Sequence, residues 1–288
     1  MPKRRFLFVT ALALLAVLST QAPASADPVA RSTLGAAFRG GNITLFKTAL
    51  ANGLPIVWAR EFWNGSVPAS LAAWPAAAQA NALGLKLWLS IDMQPDAFTS
   101  GANDTKLATF AQSLPAGTRL TFIHEPSVVR KHYTPAQFVA AFDHAATVVK
   151  AAAPQVLVGP IDVRSNVLKT HFMDKLDPTL LDFVAMDAYD GINGGRSDKE
   201  FGVLVGQQVT FLKGIFPGIP IGFAEFNTAR PATDRPRWIA DALAWGAANG
   251  IEPMCIFDSA QPWILTDAEQ QALAALLAPP PPPPPTTP

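Results

Sequence analysis

Eight short apolar runs recur along this chain, at 32–38, 55–60, 85–92, 119–125, 156–163, 183–189, 219–225 and 253–258, and most close on a charged or polar residue. Runs of this length, rich in β-branched and aromatic residues, read as strands buried on both faces. Between them lie stretches whose apolar residues return every three to four positions, clearest at 135–153, 201–216, 236–249 and 267–277, the period of a helix with one buried face. Strand and helix in alternation imply parallel pairing through helical crossovers. Eight such units over residues 27–278 match the roughly 250 residues of a closed (β/α)8 TIM barrel. A single-domain α/β barrel is the expected fold.

Local signals support the boundaries. Thr134-Pro135-Ala136-Gln137 and Thr266-Asp267-Ala268-Glu269 both fit a capping box, in which the threonine side chain and the glutamine or glutamate three residues on satisfy each other's backbone N–H groups. Pro135 also supplies the proline favoured in a first helical turn. Pro55, Pro154, Pro220 and Pro253 are read as standing at strand entrances, where a missing N–H does least damage to a ladder.

The two ends read differently from the body. Lys3, Arg4 and Arg5, the apolar run 6–18 and Ala24-Ser25-Ala26 have the three-part layout of a secretory signal peptide, so residues 1–26 are read as a leader and the protein as secreted and extracellular. Its apolar run is too short to span a bilayer, and no other stretch reaches the roughly 20 apolar residues a spanning helix needs. Residues 279–288 open with seven consecutive prolines. They are read as an extended proline-rich tail or linker.

Charge and cysteine usage remove other classes. The chain has 22 basic and 22 acidic residues; three basic and no acidic ones fall in the leader, leaving a net charge of −3 and no basic cluster to follow a phosphate backbone. Nucleic acid and membrane are not expected partners, and a monomer is the expected state. Cys255, the single cysteine, excludes an intrachain disulfide and a multi-thiolate metal site and is read as a core thiol.

In barrels of this kind the reactive groups stand at the carboxyl ends of the strands. The expected ends here carry Arg60 and Glu61, Asp92, His124 and Glu125, Asp162 to Arg164, Asp187 and Tyr189, Glu225 and Asn227, and Asp258. Two glutamates on the fourth and seventh strands face each other once such a barrel closes. Retaining hydrolysis of a glycosidic bond needs such a pair about 5–5.5 Å apart, one carboxylic acid protonating the leaving oxygen and one carboxylate attacking the anomeric carbon. Glu125 is the candidate acid/base and Glu225 the candidate nucleophile. Tyr189 and Arg60 are candidate donors to Glu225, and His124 can hold a carboxylate or a sugar hydroxyl. Asp187 is the aspartate best placed to support the pair, ahead of Asp92 and Asp258, because aspartates at strand ends commonly bond their own loops.

Trp63, Trp263 and Phe257 follow or close strand ends and could stack on a sugar ring, although packing is the commoner use of such rings. His132, His144 and His171 are read as packing or surface residues, and the first three strands hold no histidine, so a metal-dependent hydrolase is not expected.

Three segments then bring a resemblance. His124-Glu125 at strand four, Phe223-Ala-Glu-Phe226 at strand seven and Leu181-Asp-Phe-Val-Ala-Met-Asp-Ala-Tyr-Asp190 at strand six resemble glycoside hydrolase family 26, a clan A family that includes β-mannanases and relatives acting on β-glucans and β-xylans. The resemblance implies a retaining β-glycanase acting on mannan or glucan, with Glu125 as acid/base, Glu225 as nucleophile and Tyr189 touching the nucleophile, and with neither a metal nor an organic cofactor. Residues 126–133 carry no tryptophan, whereas that family's mannanases tend to place one there. Two alternatives stay open. Met186-Asp-Ala-Tyr-Asp190 is similar to a motif of family 18 chitinases, whose nucleophile is the substrate's own acetamido group. A barrel that binds glycan without cleaving it is the non-enzymatic reading.

Overall fold

A computed structural model of the chain describes residues 31–128, 133–191 and 199–279. The leader at 1–26, His132 and the proline run beyond Pro279 lie outside the described residues. The strands are β1 (Leu34–Phe38), β2 (Trp58–Asn64), β3 (Lys86–Asp92), β4 (Arg119–Phe122), β5 (Leu157–Val158), β6 (Ile161–Val163), β7 (Val184–Asp190), β8 (Ile221–Thr228) and β9 (Ile251–Asp258). The helices are α1 (Ile43–Ala51), α2 (Pro75–Ala82), α3 (Asp96–Thr99), α4 (Asp104–Gln112), α5 (Pro135–Ala152), α6 (Arg164–Val167), α7 (Phe201–Ile215), α8 (Arg235–Ala248) and α9 (Asp267–Leu277).

All pairings are parallel, in the order β5-β4-β3-β2-β1-β9-β8-β7-β6. The first and last members of that order are two halves of one stave. β5 pairs with β4 through Leu120 and Val158, β6 pairs with β7 through Ile161 and Ala185, and only Gly159 and Pro160 separate them. Pro160 has no N–H to give a ladder. At Gly159 a Cβ would stand 2.1 Å from the Phe183 carbonyl oxygen, so the neighbouring stave admits only glycine there. The eight expected strands are thus eight staves of a closed (β/α)8 barrel, the fifth interrupted.

Two apolar layers hold it. Outside the staves, Phe46, Phe110, Phe138, Phe142, Val205, Ile239 and their neighbours fill the space between sheet and helices. Inside, Trp58, Trp88, Ile161, Phe183, Ala185, Ala224 and Cys255 fill the lower barrel, and the Arg119 guanidinium lies 4.7–5.5 Å from the Phe183, Trp88 and Trp58 rings. Gly35 on β1 makes room for this plug, since a Cβ there would come within 2.4 Å of Cys255 Sγ. Cys255 is fully buried, and burial pushes its thiol up to about 12, as expected of a core residue.

Both capping boxes form, Thr134 with Gln137 on α5 and Thr266 with Glu269 on α9. Several strand boundaries differ from the expectation, among them β8, which runs on past Glu225 to Thr228. β4 stops at Phe122, because Ile123 (φ 57°) and Glu125 (φ 49°) are left-handed and cannot continue a strand. β2 runs on to Asn64. Pro253 sits inside β9, after a cis Glu252–Pro253 bond, and the ladder to β8 shifts register around it. No helix among the described residues is long and apolar enough to cross a membrane.

Candidate active site

The plug leaves the upper barrel open as a cavity of about 750 Å³. Glu125, Glu225, His124, Tyr189, Asp187, Asp92 and Trp263 line it. They come from β3, the β4 exit, β7, β8 and the loop after β9.

Glu225 is the most heavily coordinated of these groups. On β8 the ladder shifts register between Phe223 and Phe226, so Ala224 and Glu225 both face into the barrel while Phe223 and Phe226 pack outside it. Glu225 is buried, 4 % exposed, with its carboxylate turned inward. Its Oε2 accepts a hydrogen bond from the Tyr189 hydroxyl on β7. Its Oε1 lies 3.3 Å from His124 Nε2 and 3.8 Å from the Arg60 guanidinium. Arg60 NH2 is also 3.2 Å from His124 Nδ1. Guanidinium can only donate, so Nδ1 accepts and the ring proton belongs on Nε2, directed at Glu225. Burial by itself pushes the Glu225 carboxyl up, but His124, Arg60 and Tyr189 outweigh it and hold the carboxyl below its ordinary range. A buried carboxylate is thereby kept ionised.

Its neighbours move the other way. Asp187 is fully enclosed, with Oδ2 3.3 Å from His124 Nε2. Burial first, then the charges of Glu225 and Glu125, raise it well above the carboxylate range. Tyr189 is likewise raised, by burial and then by the Glu225 charge, so it remains a phenol and a donor. Carboxyl groups whose environments push them apart divide into an anion and proton-carrying partners.

Glu125 stands on the bend after β4. Its backbone N–H donates to the Ile161 carbonyl at 3.1 Å and its own carbonyl accepts from Val128 at 3.2 Å. His124, Glu125 and Asp187 each bring one ligand atom within 4.8 Å of the others, the spacing of a cation site. The guanidinium of Arg60 beside His124 places a fixed positive charge next to any such ion, which favours a proton network over a metal centre.

Trp263 packs against Tyr189 with ring centroids 4.8 Å apart and against Phe257 at 6.0 Å, giving the cavity one aromatic wall. Asn227 stands behind that wall. Its Nδ2 donates to the carbonyls of Phe257 (2.8 Å) and Trp263 (2.9 Å), so it positions the aromatic loop.

Besides Asn227 and Arg60, two more expected site residues fall outside the cavity lining. Asp258 alternates with Phe257 and points away from the cavity; its Oδ1 accepts from the Leu265 N–H at 2.7 Å, and burial raises it to about 6. It fixes the loop into α9. Trp63 points out of β2, packs on Trp74 at 5.4 Å and donates to the Ser66 carbonyl at 2.7 Å, so it is a packing residue. The same alternation brings Phe62 and Asn64 into the cavity, with Ser90, Arg164 and Ser165 opposite the aromatic wall. Counting in twos from Arg60 finds the first two; the last three carry no signal beyond their strand-end position.

The fold and its mouth define a (β/α)8 barrel with a carboxylate, two proton-bearing partners and an aromatic wall at the carboxyl ends of the staves. No family model matches the chain and no curated protein matches it. Solved structures do match. A modular endo-β-1,4-mannanase from Cellulomonas fimi, described with the glycoside hydrolase family 26 mannanases, superposes with a TM-score of 0.61 at 13 % identity, over 85 % of this chain and 70 % of that one. Cel5A of Thermotoga maritima, solved with cellobiose, gives 0.59 at 12 % identity over 84 % and 96 %. A family 128 curdlan-specific exo-β-1,3-glucanase from Blastomyces gilchristii gives 0.54 at 15 % identity over 83 % and 97 %. The chain therefore has the barrel fold found in these glycoside hydrolases.

Proposed function

We propose that this protein is a retaining glycoside hydrolase that cleaves a β-linked polysaccharide of the mannan or glucan type by double displacement. The observation that carries the reading is the Glu225 carboxylate, held ionised and aimed by Tyr189, His124 and Arg60 in a cavity that Glu125 also lines. Similarity of fold to enzymes acting on β-glycans supports the same class.

In the first step Glu225 attacks the anomeric carbon as Glu125 gives its proton to the departing glycosidic oxygen. The carbon–oxygen bond breaks and a glycosyl ester on Glu225 forms. In the second step Glu125, now a carboxylate, takes a proton from water as the water oxygen attacks that carbon. The ester breaks, Glu225 is restored as a carboxylate and Glu125 as an acid. Asp187 and Tyr189 keep the proton inventory of the site constant, and the aromatic wall of Trp263 and Tyr189 offers a sugar ring an apolar face.

Secretion and action as a monomer belong to the same proposal, the first supported by the layout of residues 1–26. The test is reducing-sugar release from a panel of β-mannan, mixed-linkage β-glucan, β-xylan and chitin. Turnover of mannan or glucan is the expected result. Cleavage of chitin oligomers alone would transfer the site to substrate-assisted chemistry, and binding of a polymer without turnover would make the barrel a glycan-binding protein.

A further inference from the structure

The acid/base candidate is set on a short bend, and one buried side chain of the neighbouring stave holds that bend. Ile123 and Glu125 are both left-handed, with φ of 57° and 49°, a conformation that bulky residues adopt only when the surroundings impose it. Part of the imposition is the Glu125 N–H bond to the Ile161 carbonyl, at 3.1 Å. The rest converges on Ser127, two residues further on. Asp162 Oδ1, on β6, accepts from the Ser127 hydroxyl and from the Ser127 backbone N–H at 3.3 Å. Asn166 Nδ2, on α6, donates to the Ser127 hydroxyl at 3.0 Å and to its carbonyl at 3.1 Å. Asp162 is 1 % exposed and is itself anchored by the Val163 N–H at 2.9 Å.

We infer that Asp162 is a positioning residue for Glu125: through Ser127 it sets the height and angle at which the Glu125 carboxyl meets the leaving oxygen. The inference rests on the acid/base role proposed for Glu125. A fully buried carboxylate is an expensive anchor for an ordinary loop, and the Glu125 charge adds to the burial that raises Asp162 to about 6. The placement accounts for that cost: Ser127 lies two residues from Glu125, and Asp162 follows Ile161, whose carbonyl accepts from the Glu125 N–H. Asn166 holds Ser127 from α6 as Asp162 holds it from β6, so bend, β6 and α6 move as one piece.

The consequence is specific to one step. Misplacing an acid/base harms reactions whose leaving group needs a proton and spares those whose leaving group departs as a stable anion. Asp162→Ala, which removes the acceptor, and Ser127→Ala, which removes the hydroxyl while keeping the buried carboxylate, are compared with Asp162→Asn, which keeps an oxygen at the Oδ1 position. Two probes of one sugar are used, a plain β-linked oligosaccharide and a 2,4-dinitrophenyl β-glycoside. For Asp162→Ala, kcat/KM on the oligosaccharide should fall on the order of 100-fold, as for a catalytic group displaced by about 1 Å, while kcat for forming the glycosyl-enzyme from the aryl glycoside should change by no more than about 3-fold. Ser127→Ala should show the same split to a smaller degree, and Asp162→Asn should restore most of the oligosaccharide rate. Equal losses on both probes, or no loss on either, would overturn the inference.

Amide hydrogen exchange gives a reading that needs no substrate. Exchange at Glu125 and Ser127 should accelerate in Asp162→Ala and Ser127→Ala while the amides of β2 and β8 keep their native protection. Native protection at Glu125 and Ser127 in both variants would contradict the tether whatever the protein hydrolyses. A wild-type chain inactive on every glycan would defeat the proposed function and leave this exchange result standing for or against Asp162.

Discussion

The Tyr189 hydroxyl on β7 donates to Oε2 of Glu225 on β8, and the facing oxygen of the same carboxylate lies 3.3 Å from His124 Nε2. Adjacent staves in register, with Tyr189 paired to Asn227 and Asp187 to Glu225, set this contact. It belongs to the backbone of the barrel rather than to a loop.

Tyr189→Phe removes one donor from Glu225 and little volume. Loss of a single preorganised donor typically costs about 10²-fold in kcat, and that loss is expected here with the fold intact by circular dichroism. The tyrosine contributes to holding the Glu225 carboxyl below its ordinary range, so its removal raises that carboxyl. Because attack needs the anion, the acid limb of the kcat/KM profile should move to higher pH. A limb that stays in place would show that the contact has no part in keeping Glu225 ionised.

Asn227→Ala removes two of the hydrogen bonds that hold the loop carrying Trp263. Two part-buried carbonyls lose a partner, and a stability loss of about 1 kcal/mol is expected in urea denaturation. KM should rise more than kcat falls, because the wall that Trp263 forms loosens while Glu225 is untouched. Trp263→Ala should raise KM by about 10-fold, the worth of roughly one aromatic contact, with kcat near that of the wild type.

Glu61 gives the barrel a pH-dependent stability of defined sign. It is 3 % exposed on the outward side of β2, and burial raises it from 4.5 to about 7, with Arg60 opposing. A carboxyl that keeps its proton in the folded state and loses it in the unfolded chain binds more protons when folded, so stability falls as pH rises between those two values. The fall attributable to Glu61 is on the order of 3 kcal/mol by linkage. Urea midpoints for wild type should decline from pH 4.5 to 7, and Glu61→Gln should flatten that slope. An unchanged slope in Glu61→Gln would assign the dependence to other groups, such as Asp162 and Asp258, both raised to about 6.

Much of the barrel is legible in the chain because each stave is an apolar run and two of the long helices, α5 and α9, carry their own capping boxes. The capping threonines at Thr134 and Thr266 mark helix starts that the structure places at Pro135 and Asp267. The centre of the site was legible for a related reason. Strand ends in a parallel barrel meet whatever their separation in sequence, so Arg60, His124, Asp187, Tyr189 and Glu225 could be grouped without knowing a single distance.

What escaped has physical causes too. The bend at left-handed Ile123 and Glu125 is bonded to the neighbouring stave through the Glu125 N–H and Ser127, tertiary contacts invisible to local propensity. Ending β2 at Arg60 hid the alternation that turns Phe62 inward and Trp63 outward. Asp258 and Asn227 carry polar side chains at strand ends, yet both bond to loop backbone, the common use of Asp and Asn in such places.

The central claim is that Glu225 attacks and Glu125 supplies the proton, and azide rescue tests it most directly. With a 2,4-dinitrophenyl β-glycoside of the accepted sugar, azide should restore turnover of Glu225→Ala by entering the vacated space and give the α-glycosyl azide. With Glu125→Ala, azide should attack the glycosyl-enzyme from the opposite face and give the β-glycosyl azide. The same anomer from both variants, or the two anomers exchanged between them, would contradict the account.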